Sequence, residues 1–268
     1  MGATALIPAA GERRLRVGLL LGCVQRVFFG DVNAATARVL AAEGCDVVVP
    51  PDQGCCGALM LHAGRDADAA HMARRFIDVF EATAADVDAI VINAAGCGSS
   101  LKTYGHLLRD DPAYAARAGA LAAKCKDISE VLAGLEPRAP RHPVPMRVAY
   151  HDACHLQHAQ RISAEPRRVL ATIPEVDVLE IPEGGLCCGS AGIYNLVEPL
   201  AASQLGARKA RNVLSTGAEA IVSSNPGCLL QLQSGLAGAG QLLPTLHLVE
   251  LLDASIRGTR IIDAPRQG

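Results

Sequence analysis

Two cysteine pairs, each followed by glycine, are the residues of this chain best suited to chemistry. They are Cys55-Cys56-Gly57 and Cys187-Cys188-Gly189. Between 31 and 40 residues separate each pair from a single cysteine on either side. Eight of the ten cysteines therefore form one four-cysteine pattern that occurs twice, as Cys23, Cys55, Cys56 and Cys97 and then as Cys154, Cys187, Cys188 and Cys228.

Four converging thiolates can hold an iron–sulfur cluster or a zinc ion, or can form two disulfides. Residues 1–14 place their charges after a short apolar stretch, which is the reverse of a secretory signal. We therefore expect a reducing compartment, in which cysteines are more often metal ligands or redox groups than disulfides. The chain lacks the Cys-x-x-Cys knuckle that is usual in zinc sites. Adjacent cysteines suit two neighbouring irons of one cluster, so the pattern favours iron–sulfur ligation, with a non-redox zinc-binding scaffold as the alternative.

The other two cysteines, Cys45 and Cys125, have no counterpart in the second copy of the pattern. A free cysteine packs well as a small apolar side chain. We expect both to be buried structural residues.

Composition excludes several classes of protein. The net charge is −2 and no basic stripe runs beside aromatic residues, which make up 3% of the chain, so the electrostatic footprint of a nucleic-acid-binding protein is missing. The longest apolar runs, such as 17–24, are shorter than the ~18 residues that a membrane span needs. These features favour a cytoplasmic protein, and a peripheral place at the inner membrane through a complex is implied only by the resemblance given below.

Apolar runs alternate with amphipathic segments in the same order in both halves of the chain. Short buried strands that alternate with helices predict a parallel sheet covered on both faces. Every cysteine of the pattern falls just after a predicted strand, and such loops form the ligand crevice of open α/β sheets. The predicted strands are 15–21, 46–50, 88–93, 147–151, 176–181 and 220–224, and the predicted helices are 31–43, 66–82, one from near 99, 113–124, 128–135, 161–172, 197–214 and 247–256.

The predicted fold is α/β, with two pseudo-symmetric halves that each hold a short parallel sheet flanked by helices. The cysteine loops lie at the carboxyl ends of the strands. Three prolines at 137, 140 and 143 precede Pro145 and mark a linker. The domains are predicted as an N-terminal linker over 1–14, a first cysteine domain over 15–136, a Pro-rich linker over 137–146 and a second cysteine domain over 147–268.

Polar side chains near the cysteines are candidates for contacts with a cluster. His155 could donate a hydrogen bond to a cluster sulfur or carry a proton, and it belongs to a group around Cys154 that includes His151, Asp152 and His158. His62 and Tyr194 each follow a cysteine pair by six residues. Ordinary packing or helix capping is the alternative role for each of these side chains.

Five stretches carry a resemblance to the cysteine-rich "CCG" domain, which occurs twice in one of the subunits of heterodisulfide reductase and in its relatives. Within that group the chain is most similar to the C-terminal part of the iron–sulfur subunit of bacterial glycolate oxidase, over Leu15 to Gly258. The stretches are Gly22-Cys23-Val24-Gln25-Arg26-Val27-Phe28-Phe29, Gln53-Gly54-Cys55-Cys56-Gly57-Ala58, Asn93-Ala94-Ala95-Gly96-Cys97-Gly98, Tyr150-His151-Asp152-Ala153-Cys154-His155 and Leu186-Cys187-Cys188-Gly189-Ser190-Ala191-Gly192-Ile193-Tyr194-Asn195.

The resemblance implies one iron–sulfur cluster in each half, of the 4Fe-4S type, held by the eight cysteines of the pattern. It implies a flavoprotein partner that carries FAD and oxidises glycolate to glyoxylate, while this chain passes electrons towards a quinone. A ferredoxin-like cluster domain is expected in cis or in trans, and the chain alone is expected to be inactive. A complex that oxidises L-lactate, or one of the heterodisulfide reductase type, is the alternative.

The chain departs from the heterodisulfide reductase pattern at one place in each half. That pattern ends each half in Cys-x-x-Cys, whose second cysteine is a fifth ligand of a non-cubane cluster. Here the corresponding residues are Ser100 and Gln231. The sequence therefore offers four thiolates for each site.

Overall fold

The computed structural model describes residues 4–261. The chain divides into two compact units between Ala139 and Pro140, inside the segment predicted as the Pro-rich linker. Parts of two predicted segments, residues 1–3 of the N-terminal linker and 262–268 of the second domain, lie outside the described residues.

The first unit contains five strands and eight helices among its described residues. The strands are β1 (Ala5–Ile7), β2 (Leu15–Leu20), β3 (Cys45–Val49), β4 (Ala89–Ile92) and β5 (Cys125–Asp127). The helices are α1 (Cys23–Phe28), α2 (Gly30–Ala42), α3 (Ala58–His62), α4 (Asp66–Ala84), α5 (Ala95–Leu101), α6 (Tyr104–Leu107), α7 (Ala115–Lys124) and α8 (Ile128–Ala133).

The second unit repeats this succession of elements. Its strands are β6 (Met146–Tyr150), β7 (Val176–Glu180), β8 (Ala220–Val222) and β9 (Thr245–Leu246). Its helices are α9 (Ala164–Leu170), α10 (Tyr194–Val197), α11 (Pro199–Ser215), α12 (Pro226–Gly238) and α13 (Leu248–Arg257), and a π-helical turn covers His155–Ala159.

The two sheets share one topology apart from the additional edge strand β1 of the first. The first has the order β1-β3-β2-β4-β5 and the second has the order β7-β6-β8-β9. Every pairing is parallel except that of β1, which runs antiparallel to β3. The predicted fold class of two similar α/β halves is therefore confirmed.

Several elements differ from the sequence-based prediction. The prediction of a linker over residues 1–14 is wrong for β1, because Leu6 pairs with Val48 at the edge of the sheet. The short strands β5 and β9 are absent from the prediction, since two or three residues carry no recognisable period. The helix α12, of 13 residues, is also absent from it. Helix α5 begins at Ala95 rather than near Ser99, so Cys97 lies inside its first turn.

The core lies on both faces of each sheet. Leu19 and Leu20 point to opposite faces of β2, and each is 1% exposed. Helix α4 covers one face of the first sheet with Phe76 and Phe80, whose rings stack at a centroid distance of 4.4 Å. Among residues 4–261, none of the helices combines the length and the apolar character that crossing a membrane requires.

Candidate metal centres

The site cysteines of the first unit lie where three neighbouring strands end. Cys23 opens α1 directly after β2, and Cys97 lies in the first turn of α5 after β4. Cys55 and Cys56 follow β3. Because β3, β2 and β4 are parallel neighbours, their carboxyl ends bring the four residues to one edge of the sheet.

The second unit places its four cysteines in the same way. Cys154 follows β6 and precedes the π-helical turn, and Cys228 lies in the first turn of α12 after β8. Cys187 and Cys188 follow β7. The repeated pattern of the sequence therefore corresponds to a repeated position in the fold.

The thiols of the first unit form a chain of contacts. The Sγ atoms of Cys23 and Cys55 are 3.5 Å apart, and the amide of Gly57 donates to Cys55 Sγ at 3.4 Å. Cys56 lies beside Cys55 on one side and Cys97 on the other. A disulfide needs an S–S distance of about 2.05 Å, and all ten cysteines are free thiols.

A buried side chain joins the two parts of the first site. The Gln53 amide accepts a hydrogen bond from Leu21 N at 2.9 Å and donates to the carbonyls of Leu19 and Pro50 at 2.9 and 3.0 Å. It thereby ties the end of β2, which leads to Cys23, to the loop that carries Cys55. Sequence reasoning did not assign this role, since a glutamine beside glycine gives no signal of burial.

The thiols of the second unit also converge. Cys188 contacts both Cys187 and Cys228, while Cys154 contacts Cys187. The amide of Gly189 donates to Cys187 Sγ at 3.3 Å. The Asn225 amide group donates to Cys228 Sγ, also at 3.3 Å. Each site therefore combines four sulfurs with N–H donors that point at them.

Hydrogen bonding between the thiols sets their protonation. In the second unit the thiols of Cys154 and Cys188 donate to Cys187 and hold its pKa well below the usual range. The Cys188 contact likewise lowers the pKa of Cys228, and His151 and Asn225 act in the same direction. The hydrogen bond to Cys187 raises the pKa of Cys154. These hydrogen bonds favour the thiolate form of Cys187 and Cys228, which is the form that binds metal.

Glycine after each cysteine pair allows the loop to approach a helix. Gly57 and Gly189 have φ angles of +79° and +95°. A Cβ atom on Gly57 would lie 3.2 Å from the carbonyl oxygen of Ala69 in α4, and one on Gly189 would lie 2.4 Å from that of Ala202 in α11. Both the left-handed backbone and the close approach exclude larger residues here.

His151, which sequence reasoning placed in the group around Cys154 without preferring it to His155, lies against the thiols of the second unit. Its ring nitrogen and the sulfurs of Cys188 and Cys228 all lie within 4.8 Å of one another. His151 directly continues the buried strand β6, and this is the signal that could have distinguished it from His155.

The three side chains predicted to lie around the clusters occupy less buried places. His62 is exposed at the end of α3, His155 is half-buried in the π-helical turn, and Tyr194 is half-buried at the start of α10. Their predicted contacts with a cluster stay predictions.

A buried lysine lies near the second group of thiols. Lys209 of α11 is 0% exposed, and its Nζ donates to the carbonyls of Glu183 and Gly184 at 3.0 and 3.1 Å. Burial lowers the pKa of Lys209, while electrostatic interaction with Cys188, Cys154 and Cys187 opposes that shift. A cation is therefore held within the electrostatic reach of the site.

The two remaining cysteines are buried outside the four-cysteine groups. Burial raises the pKa of the Cys45 thiol to about 11 and that of Cys125 to about 12. The Cys125 thiol donates to the Leu121 carbonyl at 3.4 Å. Such protonated, enclosed thiols are inert, in keeping with the structural role expected for both.

The donor set fits an iron–sulfur cluster. Four sulfurs in each unit face one another, and backbone amides donate to the Sγ atoms of Cys55 and Cys187. Thiolate ligands with N–H···S hydrogen bonds are characteristic of such clusters. The adjacent cysteines place two of the four sulfurs on consecutive residues, as two irons of one cluster require.

The fold and the repeated thiol groups define a duplicated cysteine-rich α/β module. A family model described as "CCG: Cysteine-rich domain" matches residues 17–102 and 148–233. The chain therefore belongs to the cysteine-rich CCG domain family.

Two curated relatives and one solved structure are similar to the chain. The probable glycolate oxidase iron-sulfur subunit of Bacillus subtilis is 40% identical over 92% of this chain and 56% of its own length. Lactate utilization protein A of an Exiguobacterium species is 28% identical over 90% of this chain and 98% of its own length. The chain thus spans about half the length of the first relative and nearly all of the second. The crystal structure of a hypothetical protein from Helicobacter pylori has a similar fold, with a TM-score of 0.66 at 10% identity over 91% of this chain and 49% of that one.

Proposed function

We propose that this chain is an iron–sulfur electron-transfer subunit of a complex that oxidises a 2-hydroxy acid, with one cluster in each unit. The observation that carries the proposal is the convergence of four free thiols at the carboxyl edge of each sheet. The ligands are Cys23, Cys55, Cys56 and Cys97 in the first unit, and Cys154, Cys187, Cys188 and Cys228 in the second. The cluster type is 4Fe-4S.

A cluster bound there supplies one-electron transfer. The chain's own residues determine how readily the site accepts negative charge. The amides of Gly57 and Gly189 donate to ligand sulfurs, and such bonds stabilise sulfur that carries more electron density. The buried Lys209 adds a positive charge on the side of the second site.

The named relatives support a choice of substrate and partners. We place glycolate oxidation first, because the relative with 40% identity is named as a glycolate oxidase iron-sulfur subunit. A flavoprotein partner would hold FAD and the substrate, and electrons would leave towards a quinone-type acceptor. Further clusters would come from a ferredoxin-like domain in cis or in trans. We place the chain in the cytoplasm, peripheral at the inner membrane through the other subunits of the complex.

L-lactate is the second candidate substrate. Lactate utilization protein A has almost the same extent as the matched part of this chain, which covers 98% of that relative. Mixing the oxidised flavoprotein partner with this chain, and then adding either glycolate or L-lactate without oxygen, separates the candidates. Bleaching of cluster absorption that depends on glycolate supports the first, and bleaching that depends on L-lactate supports the second.

Iron and acid-labile sulfide, measured on protein purified without oxygen, test the cluster assignment. We expect about eight of each per chain, as two four-iron clusters require. Cys23→Ser and Cys154→Ser should each remove about half of the iron, because each change removes a ligand of one cluster. The matched controls Cys45→Ala and Cys125→Ala should retain all of it. Zinc without iron after anaerobic reconstitution would replace this proposal with the zinc-binding scaffold.

A further inference from the structure

His151 is held at the carboxyl end of β6 by its main chain. Its amide donates to the Val222 carbonyl at 2.8 Å, and its own carbonyl accepts a hydrogen bond from Ser223 Oγ at 3.0 Å. Both contacts join the residue to the neighbouring strand β8 and its extension. The sheet thus fixes the position from which the imidazole projects.

The imidazole of His151 is buried among sulfur atoms. The residue is 1% exposed, neither Nδ1 nor Nε2 is hydrogen-bonded to a nitrogen or oxygen atom of residues 4–261, and the polar group that the ring influences is the Cys228 thiol. A buried polar group left unpaired costs about 1–3 kcal/mol, and such groups in native proteins call for an explanation. The sulfurs of Cys188 and Cys228 lie within 4.8 Å of a ring nitrogen of His151, so the ring faces these two thiols.

The first unit has no imidazole at the equivalent place. His151 lies three residues before Cys154, and Leu20 lies three residues before Cys23. Strand register gives the same match. Leu20 follows Leu19, which pairs with Val91, six residues before Cys97. His151 follows Tyr150, which pairs with Val222, six residues before Cys228. Leu20 packs in the apolar core with Cys56. The two sites therefore differ at a position that touches their ligands.

We propose that the imidazole of His151 is a fifth protein ligand of the second-unit centre, which makes that centre different in kind from the first. Neutral imidazole is a good ligand for iron. Gln231, which stands where the heterodisulfide reductase pattern has its fifth thiolate, is engaged elsewhere: its Nε2 donates to the Ala202 carbonyl at 3.3 Å. This inference rests on the proposed cluster in the second unit.

Nitrogen hyperfine spectroscopy on the reduced protein tests the ligand directly. The protein is purified without oxygen after labelling of its eight histidines with ¹⁵N. We expect a strongly coupled histidine nitrogen in the wild type, lost in His151→Leu and retained in the matched control His158→Leu, whose side chain is exposed. Wild-type protein with about eight irons but no such coupling would overturn the ligand while leaving the proposed function intact.

Variants of the cysteines keep the test decisive where His151→Leu loses its second cluster or fails to fold. Cys187→Ser removes the second centre, and the nitrogen coupling must disappear with it. Cys55→Ser removes the first centre, and the coupling must remain. The opposite pattern, or coupling that survives in both, overturns the assignment. Wild-type protein without iron refutes the proposed function itself, and with it this inference.

Discussion

Lys209 occupies the position in the second unit that Phe76 occupies in the first. Helices α4 and α11 contact their cysteine loops at Ala69 and Ala202, which lie against Gly57 and Gly189. Phe76 and Lys209 each follow that contact by seven residues, and both are 0% exposed. The helix behind the first site therefore presents an aromatic ring at this position, and the helix behind the second site presents an ammonium group.

Replacing Lys209 should lower the reduction potential of one centre only. As a general estimate, a unit charge ~8–16 Å from a redox centre at an effective dielectric constant of ~20 contributes about 1–2 kcal/mol to the reduced form. Lys209→Met removes that contribution, so an anaerobic redox titration followed by electron paramagnetic resonance should show one centre shifted downwards. Arg208→Met makes the same change of net charge at an exposed ion pair with Glu183, where solvent screens it. Equal shifts in the two variants would contradict a role for the buried cation.

Adding a methyl group at Gly189 should destroy the second centre. The new Cβ atom would lie 2.4 Å from the Ala202 carbonyl oxygen, and relief of that clash would move the amide that donates to Cys187. We expect Gly189→Ala to lose about half of the iron. Gly54→Ala is the control, because its φ of +72° is also left-handed but no atom lies within 4 Å of its Cβ position. That control should cost about 1–2 kcal/mol of stability and keep its iron.

Asp127 should make the first unit less stable as the pH rises through a defined window. Burial raises the pKa of this carboxyl to about 6, against about 3.9 in an unfolded chain. Between these values the folded state binds more protons, so the free energy of unfolding falls by about 3 kcal/mol as the pH rises through the window. Asp127→Asn keeps the helix-capping side chain but cannot ionise. The difference in the free energy of unfolding between the variant and the wild type should therefore grow from about pH 4 to about pH 6 and then stay level.

Asp111 supplies the control of opposite sign for that measurement. The guanidinium of Arg74 holds the pKa of Asp111 below its usual range. Its ion pair therefore stabilises the fold above the unfolded pKa and is lost as the pH falls through the folded pKa. Urea unfolding at a series of pH values should show the stability contributed by Asp111 rising with pH, where that of Asp127 falls. Parallel slopes for Asp111→Asn and Asp127→Asn would refute the assignment of the raised pKa.

The sequence predicts the sites better than it predicts their surroundings. The spacing of the cysteines, combined with buried strands before them, places all eight at strand ends, as the sheets do. Lys209 could not be recognised, because its neighbours Arg208 and Arg211 indicate a solvated helix face. His155 is adjacent to Cys154 and His151 lies three residues before it, yet the pairing of β6 with β8 buries His151, the more distant of the two in sequence, at the edge of the sheet. Long-range register decides these roles, and a single sequence does not encode it locally.

Tyr104 should stabilise the first site through one buried hydrogen bond. Its hydroxyl donates to the Cys56 carbonyl at 2.7 Å, and its ring meets Phe76 edge-on at 6.1 Å. Tyr104→Phe keeps the ring but removes the donor of a buried bond, so we expect a loss of about 1–3 kcal/mol in urea unfolding and faster release of iron from the first centre. Tyr114→Phe removes a hydroxyl that donates to the exposed carboxylate of Asp78, and it should change stability by less than about 0.5 kcal/mol. If both variants released iron at the wild-type rate, the hydrogen bond would not hold the loop that carries Cys55 and Cys56.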